Sequence, residues 1–486
     1  MVAKLGRPAA WIAFGALIAL ALRAPWLHAP LTRDEGGDAF VATSWHHGPF
    51  AYGSYFLDRP PLLLLLYRLA AGAARDAGVR LLGAIAAVAT VVLSTLLAVR
   101  VAGRAAAPWA ALMSALLASS YALWSVYTPA ELLAVVPSAA SGVLLFTALE
   151  RERVSPWLLV GAGALAATAL LVKQSFADPL VAGVVGVAAM RAGRPRRLGG
   201  AAAYATGAAG IALAVLAWAT FARVPLGAIW DAMFEFRVDA TSALAADGPL
   251  SRLGSMALAA LASGLAPALL LAAAGVWTLR ARRPTSLALA AWIGAGLGGI
   301  LLGGSYWPHY LIELVPATVA GAAVALSARP RLAPVAACAV AVPALAVAGV
   351  AVERGQPDAS NREAAAVGGY VRDRALPGET MWVRYAHANV LWYARHPSPW
   401  PYEWSLMMQA VQGAQSRLAR LLASPHRPTW VVTWQRDSAF GLDRSGLLRR
   451  VLARHYRRVA TVCGRPILLA DGAPARPAPR GALHCN

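Results

Sequence analysis

The chain has 486 residues, 58% of them hydrophobic and 14% charged, with a mean hydropathy of +0.55. A soluble protein carries roughly 25% charged residues, so this composition excludes an ordinary soluble domain and points to a polytopic membrane protein. The formal net charge of +21 does not imply a nucleic-acid partner: the arginines sit at the ends of apolar runs and in the C-terminal segment, and no basic reading helix or zinc spacing accompanies them.

Apolar runs of about 20 residues, the length that crosses a bilayer, recur near 9–27, 80–99, 106–126, 132–149, 156–172, 175–190, 199–221, 253–279, 286–303, 309–327 and 332–351. They imply about 11 transmembrane helices. The first follows Lys4 and Arg7 and contains Ala19-Leu20-Ala21, so it has the outline of a signal peptide. Its extension to Leu27, with Arg23 able to snorkel, favours an uncleaved helix instead. Alanine dominates many of the runs, which predicts close helix packing through small residues.

The loop at 28–79 is the most informative part of the chain. It opens with Thr32-Arg33-Asp34-Glu35 and continues to Tyr55-Phe56-Leu57-Asp58-Arg59-Pro60-Pro61-Leu62. Carboxylates and a guanidinium gathered beside a membrane are costly and mark a working site. Segment 55–69 is too short and too charged to span, and is expected as a helix lying in the interface plane.

A cytoplasmic N-terminus places Lys4 and Arg7, Arg100 and Arg104, Arg151 and Arg153, Arg191 to Arg197, Arg280 to Arg283, and Arg329 with Arg331 on one side. That is the positive-inside pattern. The opposite loops hold Asp34, Glu35, Asp38 and Asp58, then Glu131, then Asp231, Glu235 and Asp239. The acidic face is therefore read as extracytoplasmic. The Ala/Arg/Gly-rich, Lys-poor composition suggests a bacterial cytoplasmic (inner) membrane.

Residues 1–352 read as the transmembrane domain and 353–486 as a small extracytoplasmic α/β domain. In the latter, 361–374 has helical spacing, 381–385 and 429–432 read as strands, 445–458 as a basic amphipathic helix and 467–470 as a strand. Trp400, Tyr402 and Trp404 either stack on sugars or pack the core. The Pro/Arg-rich tail 473–480 reads as disordered. Cys338 reads as a small buried hydrophobe. Cys463 and Cys485 can pair if their segment lies outside the cytoplasm.

Asp34-Glu35 directly after the first helix, followed by the Asp58-Arg59-Pro60 motif, resembles the GT-C glycosyltransferases, in the branch holding protein O-mannosyltransferases and lipid A aminoarabinose transferases. There a D-E pair precedes an acidic–basic–Pro motif in the first extracytoplasmic loop. Gly36-Gly37 departs from the bulkier residues usual after the pair. The resemblance implies a GT-C-like fold and an inverting transfer of a sugar from a polyprenyl-phosphate donor. The acceptor hydroxyl belongs to a cell-envelope glycan, a glycolipid or a protein. It implies that Asp34 is the general base, in a setting where partial burial raises its pKa. An N-cap is the alternative role for Asp34. Arg59 would hold the carrier phosphate, and Glu35 would contact acceptor or support the base. Asp58 would orient Arg59 or ligate a divalent metal. Lys173 would reach a phosphate or merely snorkel. His309, beside Tyr310, would bind phosphate or a metal, or belong with Tyr306 and Trp307 to an interfacial aromatic belt. No cofactor is certain and a divalent metal is possible. A lipid-linked sugar flippase or transporter is the alternative function.

Overall fold

The structure, a computed structural model, describes residues 8–151, 155–190, 193–246, 248–331, 333–354, 359–385, 387–436, 439–476 and 485. In chain order the helices of the first part are α1 (Pro8–Arg23), α2 (Arg33–Thr43), α3 (Pro61–Ala102), α4 (Ala107–Ala118), α5 (Ala130–Leu149) and α6 (Pro156–Val172). They continue with α7 (Asp178–Ala188), α8 (Arg194–Phe221), α9 (Leu226–Trp230), α10 (Phe236–Ala246), α11 (Pro249–Ala262) and α12 (Leu265–Thr278). The last three are α13 (Arg283–Leu302), α14 (Val315–Ala328), which a 3-10 turn at Pro308–Leu314 leads into, and α15 (Ala333–Glu353).

Among the described residues seven helices are long and apolar enough to cross a membrane: α1 with its extension to Trp26, α3, α5, α8, α13, α14 with its 3-10 turn, and α15. The pair α11 and α12 is equally apolar but bends by 74°. The break falls at Gly264, whose φ of +78° suits a residue without a side chain. Helices α4, α6 and α7 coincide with the remaining apolar runs and are shorter, 10–17 residues each. Length and composition alone thus pick out seven or eight of the eleven expected crossings. Polar interruptions shorten the others: α4 ends at Ala118 in a turn pinned by Ser125 Oγ, which accepts from Ser120 N and donates to Leu117 O. Small-residue packing is present. A Cβ on Gly163 of α6 would collide with the backbone of Tyr204 on α8, so the two helices touch main chain to main chain.

The interfacial helix expected at 55–69 begins only at Pro61, because residues 55–60 are non-helical and Pro60, held in the extended region, caps the helix that Pro61 opens. Ala74 and Arg75 break α3 with non-helical dihedrals, which divides its first three turns from the spanning limb. Cys338 lies exposed on α15, not buried, because that helix presents most of its surface to the outside of the bundle.

The C-terminal part comprises α16 (Ala359–Arg372), β1 (Met381–Val383), α17 (Asn389–Ala394), α18 (Ser405–Ala410), α19 (Ala414–Ala423) and β2 (Trp430–Val432). It ends with α20 (Leu447–His455), β3 (Tyr456–Val462) and β4 (Arg465–Ala470). The sheet order is β1-β2-β4-β3, parallel between β1 and β2 and antiparallel elsewhere. The helix expected to reach residue 458 stops at His455, because Tyr456 pairs with Ala470 and opens β3. Cys463 and Cys485 are disulfide-bonded. Of the tail expected to be disordered, residues 477–480 lie outside the described residues.

This part seats on the first loop. The break in α3 carries Asp76, which accepts from Trp392 Nε1 and Tyr393 OH on α17, each at 2.7 Å. Phe56 N donates to Pro401 O at 3.0 Å, and Tyr55 OH meets the main chain of Ser398. Trp400 and Tyr402 pack with Phe50 and Phe56.

Candidate active site

The site grows from the N-terminus of α2. Thr32 Oγ1 accepts from Glu35 N at 3.3 Å and Glu35 Oε2 accepts from Thr32 N at 2.8 Å, a complete capping box. The other Glu35 oxygen pairs with Arg80 Nη1 at 2.5 Å and accepts from Thr128 N at 2.6 Å. Arg80 also donates to Ala29 O and Pro30 O. Both side chains are 2% exposed. Glu35 therefore ties α2 to α3 and to the α4–α5 turn. Its carboxylate is held by three protein donors, so of the two expected roles the geometry favours support of the site over contact with acceptor.

The adjacent Asp34 has the opposite character. Its side chain is 44% exposed, and its Oδ1 accepts from Trp404 Nε1 at 3.2 Å. Arg33 Nε lies 3.9 Å away. The capping is performed by Thr32, so the alternative role for Asp34 falls to its neighbour. Crowding by protein opposes ionisation of Asp34, but Arg33, Arg59, His309 and the Trp404 hydrogen bond outweigh it and hold the carboxyl below its ordinary range. The expected upward shift is thus reversed. Asp38, one turn further along α2 and 5% exposed, behaves in the way expected of Asp34: burial pushes it up to about 8 against the pull of Arg59.

Gly36 and Gly37 explain the departure in the motif. A Cβ on Gly36 would strike Asn389, and one on Gly37 would strike Trp404 and Ala388. The glycines let the C-terminal part close onto α2 and bring Trp404 to Asp34.

Asp58 joins two guanidinium groups. Its Oδ1 takes Arg59 Nη1 at 2.7 Å and its Oδ2 takes Arg237 Nη2 at 2.5 Å. Tyr52 OH donates to Arg59 O, and Gln174 Nε2 to Asp58 O. Arg237 on α10 was not among the expected site residues. Its only signal in sequence is a lone arginine within the acidic stretch from Asp231 to Asp239. Asp38 was missed in the same way, because helical i, i+4 spacing from Asp34 is its sole mark; Trp404 stood in the aromatic cluster, but 370 residues hide its pairing with Asp34.

Lys173 is 2.9 Å from Glu131 and sits over the Tyr310 ring at 4.9 Å. His309 Nε2 is 3.8 Å from Glu131, and the ring stacks on Trp124 at 5.2 Å. Lys173, His309, Tyr310, Arg59 and Asp34 thus share one region. Asp58 is engaged by two arginines, and among the described residues no group of three or more His, Cys, Asp or Glu could hold a metal ion. The donor set present does not fit the possible metal. His46 meets Ser54 rather than His47.

Two cavities meet at Asp34. The smaller, about 160 Å³, carries four arginines (Arg33, Arg59, Arg237, Arg252) against Asp34 and Asp58. The larger, about 450 Å³, lies on the other side and is lined by Asp34, Asp38, Trp124, Trp307, His309 and Asn361, among others. A third, about 550 Å³ and mostly apolar, runs from Arg237 and Tyr310 along Ile300 and Leu302.

Comparison with solved structures now bears on the fold. ArnT from Cupriavidus metallidurans bound to undecaprenyl phosphate superposes with a TM-score of 0.61 at 15% identity, over 96% of this chain and 98% of that one. Its apo form gives 0.58 at 14% identity, over 95% and 98%. The Archaeoglobus fulgidus oligosaccharyltransferase tethered to an acceptor peptide gives 0.56 at 15% identity, over 93% of this chain and 72% of that one. The fold is that of the GT-C glycosyltransferases. No family model and no curated protein matches the chain in sequence. The GT-C fold thus accounts for the apolar bundle with its small mixed sheet and for the multi-pass membrane character.

Proposed function

We propose that the protein is a membrane glycosyltransferase that moves a sugar from a polyprenyl-phosphate donor to an acceptor hydroxyl, with Asp34 as general base. The observation that carries this reading is the position of Asp34 between an arginine-rich cavity and an aromatic one. The GT-C fold and the undecaprenyl phosphate bound by the similar ArnT support it.

Arg59 and Arg237, bridged by Asp58, hold the carrier phosphate as charge builds on it. Lys173 and Tyr310 flank that position, with Lys173 able to leave Glu131 for a phosphate oxygen. The apolar third cavity receives the prenyl chain. The acceptor oxygen attacks the anomeric carbon and forms the new C–O bond. The bond from that carbon to the phosphate oxygen breaks, its electron pair staying on the phosphate. Asp34 takes the hydroxyl proton, a role worth roughly 10²–10⁴ in rate. Inversion follows from a single displacement. Arg33 and Arg59 hold Asp34 ionised but weakly basic. A phosphate bound beside them offsets their charge and strengthens the base once donor is present. The basic loops support a cytoplasmic N-terminus and an extracytoplasmic site in a bacterial inner membrane.

A transfer assay in lipid tests this, with radiolabelled polyprenyl-phosphate mannose and arabinose offered in turn with crude envelope acceptor. Label moves with wild type and not with Asp34→Asn. Equal turnover by the variant removes Asp34 as base.

One observation favours the flippase reading: α11–α12 is a broken apolar pair, and Asp178 and Glu313 are buried at 2% exposure each within the bundle. Label crossing sealed vesicles without chemical transfer would favour it.

A further inference from the structure

The larger cavity differs from the arginine-rich one in chemistry. Its charges compensate one another: Lys173 pairs with Glu131, Arg59 with Asp58 and Glu35 with Arg80, while Arg33 lies 3.9 Å from Asp34 and over the Trp307 ring. A phosphate or carboxylate placed here would have to displace one of these carboxylates from its cation, whereas an uncharged ligand leaves every pair intact. The walls are aromatic instead. Trp124 and Trp307 stand with ring centroids 6.2 Å apart and 36° between planes, the first backed by His309. Trp124 adopts φ of +57°, a backbone conformation that a bulky side chain rarely takes and that is retained where surroundings demand it. Across the cavity, Asn361 on α16 is 3% exposed, and its amide nitrogen has no hydrogen-bond partner among the described residues. A buried amide donor left unpaired is costly unless a ligand completes it.

We propose that this cavity is the acceptor site and takes an uncharged sugar ring, its apolar face against Trp124 and Trp307 and a hydroxyl accepting from Asn361. The inference rests on the transferase reading above and deepens it by naming the acceptor class, a neutral glycan rather than a phosphorylated glycolipid. Aromatic walls with a few polar groups suit a sugar, whose ring has apolar C–H faces and a polar rim. The ring set against the tryptophans also brings a hydroxyl towards Asp34, which lines the same cavity.

The test measures binding to full-length protein in lipid nanodiscs. The probes are undecaprenyl phosphate, neutral trisaccharides of mannose, arabinose, glucose and galactose, and the same trisaccharides bearing a phosphate. The variants are Asn361→Ala and Trp124→Asn, the second chosen because asparagine tolerates the left-handed backbone at this position. At least one neutral trisaccharide binds wild type, its phosphorylated form binds more weakly, and each variant weakens the neutral ligand about tenfold. Undecaprenyl phosphate affinity stays unchanged in both variants. If phosphorylated trisaccharides bind best, or both variants keep full neutral affinity while undecaprenyl phosphate still binds, the acceptor assignment is overturned and the transferase reading stands. If wild type does not bind undecaprenyl phosphate, the transferase reading falls and this assignment with it.

Discussion

Removing Glu35 separates a scaffold role from a substrate contact. Glu35 and Arg80 are 2.5 Å apart and both 2% exposed. Truncating one partner of such a pair leaves a charge buried without compensation, at about 3–5 kcal/mol. Glu35→Ala also removes the Glu35 half of the capping box, leaving Thr32 N without its acceptor at about 1 kcal/mol more, and orphans Thr128 N. The variant is therefore expected to lose about 4–6 kcal/mol of stability. Glu35→Gln keeps an acceptor for Thr128 N and loses less. The double change Glu35→Gln with Arg80→Met leaves no orphaned charge, and so recovers much of the loss through a coupling that single changes do not show. The assay is thermal unfolding in detergent for the two singles and the double, beside acceptor KM at a temperature where all remain folded. A melting profile like wild type, with a large rise in acceptor KM for Glu35→Gln, would refute the scaffold assignment. It would return Glu35 to the ligand side of the site.

Three further outcomes follow from the geometry. Arg237→Ala should raise the dissociation constant for undecaprenyl phosphate about tenfold or more, since it removes one of two guanidinium groups bridged by Asp58; an unchanged constant would make Arg237 a structural partner of Asp58 only. Trp404→Phe removes the hydrogen bond that helps hold Asp34 ionised, so the acid limb of the pH–rate profile should move to higher pH with little change in melting. Glu403 is 2% exposed, and burial pushes its carboxyl up to about 8. Its contribution to stability is full below the ordinary glutamate range and is lost as pH rises through about 8, at most about 5 kcal/mol. Glu403→Gln should flatten that decline in melting scans from pH 5 to 9, and an unaltered slope would place Glu403 in a wetter setting.

The apolar runs were readable because bilayer length and hydropathy are local properties. The helix ends were not, because Lys173-Gln174-Ser175 ends α6 and the turn from Ser119 to Pro129 ends α4 within what reads as continuous apolar sequence. Asp34 and Arg59 stood out as charges in an apolar chain, and the structure brings them to one site together with Lys173, His309 and Tyr310. Glu35 stood out equally and proved to be a buried anchor, since its partner Arg80 lies 45 residues away inside an apolar run. Arg237 and Trp404 reach the site only through tertiary folding: no local pattern marks Arg237, and the aromatic cluster that holds Trp404 does not reveal its pairing with Asp34. The direction of the Asp34 shift was misjudged in part for the same reason: burial was legible, while Arg59, His309 and Trp404, which join the adjacent Arg33 in opposing it, come from separate elements.

The contact between Trp404 and Asp34 also has a consequence in time. Asp34 emerges from the ribosome early, and Asn389 and Trp404, which close over Gly36 and Gly37, emerge more than three hundred residues later. During most of synthesis the first loop therefore has Asp34 but not its cover. A chain still being inserted has no finished cavity at Asp34, and the wall that completes it arrives with the last quarter of the polypeptide.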